Sequence, residues 1–162
     1  MLTQNRLKEL FKYDPETGIF IRIKKSAVNS TVGETPGCAS RGYVRMMVDG
    51  VRYQAHRLAW LYVYGEFPPR FVDHINGNRA DNRIANLRDV DKSMNTQNQR
   101  GARKDNLSTG LLGASFHKVT GKYAAQISIN GKKISLGLFD TPEQAHAEYV
   151  RAKREIHTGN TL

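Results

Sequence analysis

The feature that most constrains the fold is a series of short alternating apolar and polar runs, separated by two-residue turns that contain glycine. Toward the C-terminus the runs GASFHKV, KYAAQISI and KKISLGLF are separated by Thr120-Gly121 and Asn130-Gly131. Such pairs favour tight hairpins, because glycine adopts the positive φ that these turns require. The pattern therefore predicts a three-stranded antiparallel sheet over residues 113–139.

A helix is predicted to follow this sheet, because residues 141–144 (TPEQ) combine a capping box with proline at the first helical position. The apolar stripe of this helix consists of Ala145, Tyr149, Ala152 and Ile156. The sheet face expected to pack on the stripe consists of Tyr123, Ala125, Ile127, Ile129, Ile134, Leu136 and Leu138. The opposite face, which we expect to stay exposed, carries Gln126, Ser128, Lys133 and Ser135.

The N-terminal third shows the same alternation and is predicted to be rich in β-strands. Its runs lie at 19–23 and 42–48, and the second is joined through Asp49-Gly50 to 51–55. The side chains of this hairpin predicted to face a core are Val44, Met46, Val48, Val51 and Tyr53. The other face could meet a phosphate backbone or could simply be solvated, and it carries Arg45, Arg52 and Gln54. A helix is predicted from His56 to Gly65.

Composition restricts the function classes. The chain of 162 residues has 25 Lys and Arg against 15 Asp and Glu, a net charge of +10. The excess is spread over the whole chain, which favours a polyanionic partner such as nucleic acid. No apolar run approaches the length of a membrane span, and the N-terminal residues lack a secretory signal, so we expect a protein of a reducing cytoplasm with no membrane partner. Cys38 is the only cysteine, which excludes an intrachain disulfide.

The central segment predicts two short strands and a helix. Residues 71–74 (FVDH) and 87–90 (LRDV) can be strands on either side of a polar loop at 75–86, and Asp91 can cap a helix that carries Asn95 and Asn98 and ends at Gly101. Hydrolysis of a phosphodiester needs a base for water and a cation for the charge that grows on the phosphate. Asp73 and His74 could supply these functions, provided that the strand ends or twists there, since neighbouring strand residues point to opposite faces.

The segments DHINGN, DNRIANLR and MNTQN resemble the HNH nuclease motif, in the HNN form of phage homing endonucleases, over about residues 53–100. The resemblance implies a ββα-metal site for one divalent cation, Mg²⁺ or Mn²⁺. In it His74 would be the general base, Asp73 and Asn95 would hold the cation, and Asn86 would brace the loop and orient the imidazole. A tetrahedral zinc form is not expected, because this segment lacks the His or Cys ligands.

Several assignments have rivals. Asn98 competes with Asn95 as the metal ligand, and Asn82 competes with Asn86 for the middle position. Arg83 and Arg88 could contact phosphates or could pair with nearby aspartates, Asp81 or Asp89. The other histidines are not expected to catalyse. We expect His56 to pack or cap the first helix, and we expect surface positions for His117, His146 and His157.

The C-terminal runs GASFHK, GKYAAQISI, LGLF and EQAHAEY resemble the APETALA2/ethylene-response-factor DNA-binding domain over about residues 108–157. In that family the exposed sheet face enters the major groove. The resemblance implies a DNA-facing set made of Leu112, Ser115, His117, Gln126, Ser128, Lys133 and Ser135. Several of these positions are Arg or Trp in the plant proteins, so their sequence preference does not transfer.

The sequence as a whole predicts a modular α+β protein. Its predicted parts are a β-rich region (1–52), an HNH ββα-metal nuclease domain (53–100), a linker (101–107) and an APETALA2-like DNA-binding domain (108–162). We expect a metal-dependent endonuclease of double-stranded DNA, encoded by a phage, acting in the bacterial cytoplasm and needing no obligate protein partner. The alternatives are a DNA-binding regulator with a vestigial nuclease site and a structure-selective or RNA-directed nuclease.

Overall fold

A computed structural model describes residues 1–26, 29–99, 101–102, 106–129 and 131–157. The described residues contain four α-helices and several small antiparallel sheets, so the predicted α+β class is confirmed. The chain divides into two compact units, unit 1 (Met1–Asp91) and unit 2 (Lys92–Leu162), which are described separately. Arg100 and residues 103–105 of the predicted linker, together with Asn130 of the last predicted turn, lie outside the described residues.

Unit 1 contains two helices and three small antiparallel sheets in its described residues. In chain order its elements are α1 (Gln4–Leu10), β1 (Phe11–Asp14), β2 (Ile19–Arg22), β3 (Cys38–Ser40), β4 (Tyr43–Val48), β5 (Val51–Gln54), α2 (Ala55–Tyr64), β6 (Phe71–His74) and β7 (Leu87–Val90). Strands β1 and β2 pair, β3, β4 and β5 form a sheet in that order, and β6 pairs with β7. A short 3₁₀ turn, Ile84–Asn86, leads into β7.

One apolar core joins these elements. Leu7 and Leu10 of α1, Phe20 of β2, and Leu58 and Leu61 of α2 are buried in the same cluster. Residues 1–52 and 53–91 therefore contribute to one core. The predicted end of α2 is confirmed, because Gly65 adopts φ +87° and donates its N–H to the Leu61 carbonyl at 3.0 Å.

The core face of the β4–β5 hairpin is mostly as predicted. Met46 and Val48 are buried, and Val44 and Tyr53 pack at the edge of the core. The prediction is wrong for Val51, whose side chain is exposed. Val51 directly follows the Asp49-Gly50 turn, and it lines a shallow groove at the margin of the sheet instead of the interior.

Unit 2 contains the predicted meander and its helix. Its elements are α3 (Lys92–Gln97), β8 (Ala114–His117), β9 (Lys122–Ile129), β10 (Lys132–Phe139) and α4 (Pro142–Ile156). The central strand is β9. The capping box at Thr141 is present, with Gln144 N–H donating to the Thr141 hydroxyl at 3.3 Å. Helix α3 ends at Gln97, so the prediction that it continues to Gly101 is wrong.

A β-bulge between Ser135 and Gly137 changes which residues of β10 face α4. Beyond it Leu138 pairs with Ala124, and Phe139 pairs with Tyr123. Because the bulge shifts the alternation by one residue, Phe139 packs in the core and Leu138 is exposed, contrary to prediction. Ile134, on the same edge strand, is also exposed instead of buried.

Candidate functional site

The β6–β7 pair forms the centre of the candidate site. Its antiparallel register places Asp73 opposite Arg88 and His74 opposite Leu87. Asp73 is 7% exposed and His74 is 4% exposed. His74 is the last residue of β6, and its carbonyl accepts a hydrogen bond from Gly77 N–H at 2.9 Å. The strand therefore ends at His74, which is the condition under which Asp73 and His74 could serve one site.

The Asp73 carboxylate is bound by the residue directly across the strand pair. Arg88 donates to Asp73 Oδ2 from Nε at 3.0 Å and from Nη2 at 2.8 Å. A buried carboxylate without a partner would be costly, and this cross-strand guanidinium compensates its charge. The sequence suggested Asp81 or Asp89 as a partner for Arg88, whereas in the structure Arg88 binds Asp73.

His74 is held in a form that suits a general base. Burial lowers its pKa, and the positive charge of Arg79 acts in the same direction. The nearby Asn82 side chain and the negative charges of Asp73 and Asp81 oppose the shift but do not reverse it. His74 is therefore neutral at pH 7, and a neutral imidazole can accept a proton from water.

Asn86 braces the loop that follows His74. Its side-chain oxygen accepts from Asn76 N–H at 3.0 Å, and its side-chain amide donates to the Asp81 carbonyl at 2.8 Å. Its carbonyl also accepts from Ile75 N–H at 2.9 Å. One buried side chain thus ties the start of the loop to its end, which restricts the conformations of the residues between them.

Asn82 is the asparagine whose side chain interacts with the imidazole of His74. It is buried, and its carbonyl accepts a hydrogen bond from the Tyr13 hydroxyl at 2.7 Å. The β1–β2 turn also packs against it, since a Cβ on Gly18 would lie 2.5 Å from the Asn82 carbonyl carbon. The two rival asparagines therefore do different things: Asn86 holds the loop, and Asn82 lies beside the imidazole.

The nearby ion pairs account for two of the predicted DNA-binding arginines. Arg83 donates to Asp81 from Nε at 2.8 Å and from Nη2 at 2.6 Å, and this pairing lowers the pKa of Asp81 to about 2. Arg88 binds Asp73, and Asp89 pairs instead with Arg70 at 2.9 Å. Arg83 is half exposed, so it could still reach a phosphate, whereas Arg88 is largely committed to Asp73.

A second buried histidine lies beside His74. The ring centroids of His56 and His74 are 5.0 Å apart, and the ring of Tyr43 lies 5.5 Å from His56 and 6.0 Å from His74. Burial lowers the pKa of His56 to about 3, and the neighbouring His74 and Arg57 act in the same direction. The expectation that His56 packs is confirmed, but its contact with His74 was missed. No spacing rule links residues that are 18 positions apart on different elements.

The outer face of the β3–β5 sheet adjoins this cluster. Arg45 pairs with Gln54 and Met47 pairs with Arg52, so Arg45 and Arg52 project from the same side of the sheet. Tyr43 lies two residues before Arg45 on β4 and shares that side. The face predicted to carry the two arginines therefore leads directly to the ring that contacts both histidines.

Asn95 and Asn98, the two candidates for the second metal ligand, belong to unit 2. Asn95 lies on α3, and Asn98 follows the helix and is buried. In the described residues, no group of three or more His, Cys, Asp or Glu side chains could hold a metal ion.

The predicted DNA-facing residues of unit 2 lie on one face of its sheet. Cross-strand pairing and alternation place them on the side opposite α4, and all are exposed: Ser115, His117, Gln126, Ser128, Lys133 and Ser135. Leu112 departs from this set, because it packs against the cluster of Ile127 and Tyr149. The surface position expected for His157 is wrong, and His146 is only partly exposed. His157 is buried near the Ser128 carbonyl, and His146 donates to the Leu112 carbonyl at 2.7 Å.

Comparison with known proteins found two similarities. Residues 53–97 match the family model of the HNH endonucleases. Over 101 residues the chain is 33% identical to a protein of Bacillus subtilis (strain 168), YosQ, whose name assigns it to the HNH homing endonucleases of the SPbeta prophage. The similarity covers 62% of this chain and 57% of that relative. No solved structure matches the chain. The two similarities support a nuclease function at the level of the family.

Among the residues that the structure describes, no helix has both the length and the apolar character needed to span a bilayer.

Proposed function

We propose that this protein is a metal-dependent endonuclease that hydrolyses phosphodiester bonds in double-stranded DNA. The observation that carries the proposal is the neutral, buried imidazole of His74 at the end of β6, beside the Asp73 carboxylate, within a segment that matches the HNH endonucleases. A base and an acidic ligand at adjacent positions are the minimum that hydrolysis of a phosphodiester requires of the protein.

His74 is proposed to accept a proton from the attacking water. Burial keeps the imidazole unprotonated, and the neighbouring Asn82 side chain is proposed to restrict its orientation. Asn86 does not act on the imidazole directly. It is proposed to hold the loop that follows His74 through its bonds to Asn76 N–H and the Asp81 carbonyl. In this scheme Asn86 is a positioning residue, and Asn82 shares the orienting role that the family resemblance assigns to Asn86.

Nucleases of this family generally depend on a divalent metal ion. Asp73 and Asn95 would hold one Mg²⁺ or Mn²⁺, with Asn98 as the alternative to Asn95. Carboxylate and amide oxygens are the donors that such ions accept. When bound, the ion would neutralise charge on the scissile phosphate and stabilise the leaving oxygen. Arg88 keeps the Asp73 carboxylate in a fixed position on the strand pair.

Two surfaces are proposed to hold DNA. Arg45 and Arg52 on the outer face of the β3–β5 sheet would contact the phosphate backbone, with Arg83 closer to the site. Arg88, also predicted as a DNA contact, instead binds Asp73. The exposed face of the unit 2 sheet would enter a groove, using Ser115, His117, Gln126, Ser128, Lys133 and Ser135. This division suits a minimal nuclease site, since phosphate contacts position the protein and groove contacts select the sequence.

We further propose that the protein is encoded by a phage and acts in the bacterial cytoplasm without an obligate protein partner. The name of the B. subtilis relative, which places that protein in a prophage, supports this origin.

Cleavage of supercoiled plasmid and of phage genomic DNA with Mg²⁺ or Mn²⁺ tests the proposal. The wild type is compared with His74→Ala and Asp73→Asn, and DNA binding is measured for all three proteins. We expect metal-dependent nicks or breaks that are lost in both variants while binding persists. If the wild type binds DNA but cuts none of these substrates, the protein is a DNA-binding regulator and the central motif is a scaffold.

A further inference from the structure

Two tight turns in the β3–β5 sheet have the same backbone geometry but different residues. Arg41-Gly42 joins β3 to β4 with φ values of +52° and +83°, and Asp49-Gly50 joins β4 to β5 with +48° and +78°. Positive φ at both positions favours Asn or Asp followed by Gly, as at Asp49-Gly50. Arginine is poorly suited to the first position, because its Cβ crowds the backbone there. The strain at Arg41 therefore indicates that the turn serves a purpose other than stability.

The strained turn lies next to the candidate site. The guanidinium of Arg79, from the loop after His74, lies over the ring of Tyr43 at 5.0 Å from its centroid. Arg79 also donates to the Arg41 carbonyl at 3.5 Å, and its side chain covers Gly42. The Tyr43 ring is the one that lies 6.0 Å from His74. The two arginines are thus brought together at the edge of the His74 environment.

Unlike Arg70, Arg83 and Arg88, these two cations have no acidic partner among the described residues. Arg70, Arg83 and Arg88 each form an ion pair, with Asp89, Asp81 and Asp73 respectively. Across the described part of the chain, neither Arg41 nor Arg79 forms one, and both side chains are exposed. Stacking on Tyr43 leaves the edge of the Arg79 guanidinium able to donate to an anion.

We propose that Arg41 and Arg79 form a phosphate-binding site that holds the DNA backbone beside the phosphate attacked at His74. The inference rests on the proposed function, since it assigns part of the substrate contact of that same site. Arg79 provides a planar donor set held by Tyr43, and Arg41 adds a second cation from the tip of the β3–β4 turn. Together they continue the basic outer face of Arg45 and Arg52 up to the histidines.

The test measures DNA binding as a function of salt. A DNA duplex of arbitrary sequence is titrated with the wild type, Arg41→Asn and Arg79→Gln between about 50 and 200 mM salt. Each lost phosphate contact is expected to lower the magnitude of the slope of log K against log salt by about 1. The variant that carries both substitutions should lower it by about 2. Binding should weaken equally on unrelated sequences, because a phosphate contact carries no sequence information.

Two controls separate a local contact from a change in net charge or in folding. Arg154→Gln removes the same charge from the exposed surface of α4 in unit 2 and should keep the wild-type slope. Arg79→Lys keeps the cation and should retain most of the slope that Arg79→Gln loses. Arg41→Asn suits the turn and should unfold at the same temperature as the wild type or higher. Arg41→Gly provides a second variant with a compatible backbone.

Slopes for Arg41→Asn and Arg79→Gln equal to those of the wild type and Arg154→Gln would overturn the inference. Because the readout is binding, this result is distinct from failure of the proposed function, in which the wild type would cut no DNA. If the wild type cleaves, single-turnover cleavage at subsaturating enzyme should fall in the two variants in proportion to their loss of binding, and unchanged cleavage would also contradict the inference.

Discussion

At the scale of single residues, the candidate site combines three buried ionisable groups whose surroundings differ. Asp73 faces the guanidinium of Arg88, whereas His56 and His74 face one another and Tyr43. The guanidinium of Arg88 binds the Asp73 carboxylate, whereas burial lowers the pKa of both histidines and keeps their imidazoles neutral at pH 7. One strand pair and one helix thus place a carboxylate beside a neutral imidazole.

The neutral state of His56 makes stability depend on pH. Its pKa is about 3 in the folded protein, against about 6.5 for an ordinary histidine. Below pH 6.5 the unfolded chain binds a proton that the folded protein does not, so stability is complete above that pH and is lost as the pH falls. Between pH 7.5 and 5.5 the unfolding free energy should fall by about 1.4 kcal/mol more in the wild type than in His56→Phe.

Urea unfolding at the two pH values measures this difference. His117→Gln is the control, because it removes an exposed imidazole and should keep the wild-type pH dependence. The same pH dependence in the wild type and in His56→Phe would mean that His56 does not titrate differently on folding.

The Asp73–Arg88 pair should contribute more to the unfolding free energy than the Arg70–Asp89 pair near it. Arg88→Leu removes the guanidinium that binds the buried Asp73 carboxylate and is expected to lower the unfolding free energy by about 2–3 kcal/mol. Arg70→Leu breaks the Arg70–Asp89 pair, whose arginine is exposed, and is expected to cost under about 1 kcal/mol. Urea unfolding of both variants tests this order, and equal losses would contradict it.

At the scale of elements, the β1–β2 hairpin supports the loop that surrounds His74. Tyr13 of β1 donates its hydroxyl hydrogen to the Asn82 carbonyl, and Ile84 N–H donates to the Pro15 carbonyl at 3.3 Å. Gly18 in the turn approaches so closely that a Cβ would lie 2.4 Å from Arg83 N. The hairpin therefore fixes the far side of the loop, while Asn86 fixes the near side.

Gly18→Ala tests this support without touching the proposed catalytic residues. The added methyl would collide with the backbone of Arg83 at a positive φ of +74°, so both the hairpin and the loop must move. We expect a loss of about 2 kcal/mol or more in stability and a slower cleavage rate at saturating DNA. Gly50→Ala is the matched control, since its φ is +78° but nothing lies within 4 Å of the added Cβ. Equal effects of the two substitutions would show strain alone.

Caps and turns that depend on neighbouring residues could be predicted from the sequence. Features that depend on how two strands pair could not. The Gly65 cap, the Thr141 capping box and the Thr120-Gly121 turn each depend on neighbouring residues, and all are present. The exposure of Leu138 depends on a bulge, which alternation in one strand does not reveal. The end of α3 at Gln97 was missed because the polar residues that follow it carry no distinct stop signal.

The same division applies to the candidate site. Asp73 and His74 could be chosen as candidates from residue type, and Asn86 from the resemblance to the HNH motif. The pairing of Asp73 with Arg88, the approach of His56 to His74 and the contact of Gly18 with the loop depend on tertiary packing between distant segments. Those contacts explain how the residues would be held, which spacing alone does not.

At the scale of the whole molecule, unit 1 and unit 2 are proposed to divide the work. Unit 1 contains the candidate catalytic residues on its own core, and unit 2 presents an exposed polar sheet face. A reaction divided in this way should show separable defects. Changes on the unit 2 face should affect the DNA concentration needed for half-maximal rate, and changes at His74 should affect the maximal rate.

Neighbouring lysines on β10 provide a matched pair for this prediction. Lys133 pairs with Ser128 on the exposed face, whereas Lys132 pairs with Ile129 on the side that faces α4. Lys133→Ala should raise the half-saturating DNA concentration severalfold with little change in the maximal cleavage rate, and Lys132→Ala should leave both near the wild-type values. Steady-state cleavage of a defined duplex measures both quantities. Equal effects of the two substitutions would contradict a DNA-binding role for the exposed face.

The central claim, that His74 is the general base, is tested most directly by restoring a base to a variant that lacks one. His74→Gly should lower the single-turnover cleavage rate by about 10²–10⁴-fold at saturating metal and DNA. Added imidazole should then raise the rate in proportion to the concentration of its neutral form, while the wild-type rate stays unchanged. Cleavage by His74→Gly at the wild-type rate without imidazole would contradict the account, because the proton would then be removed by another group.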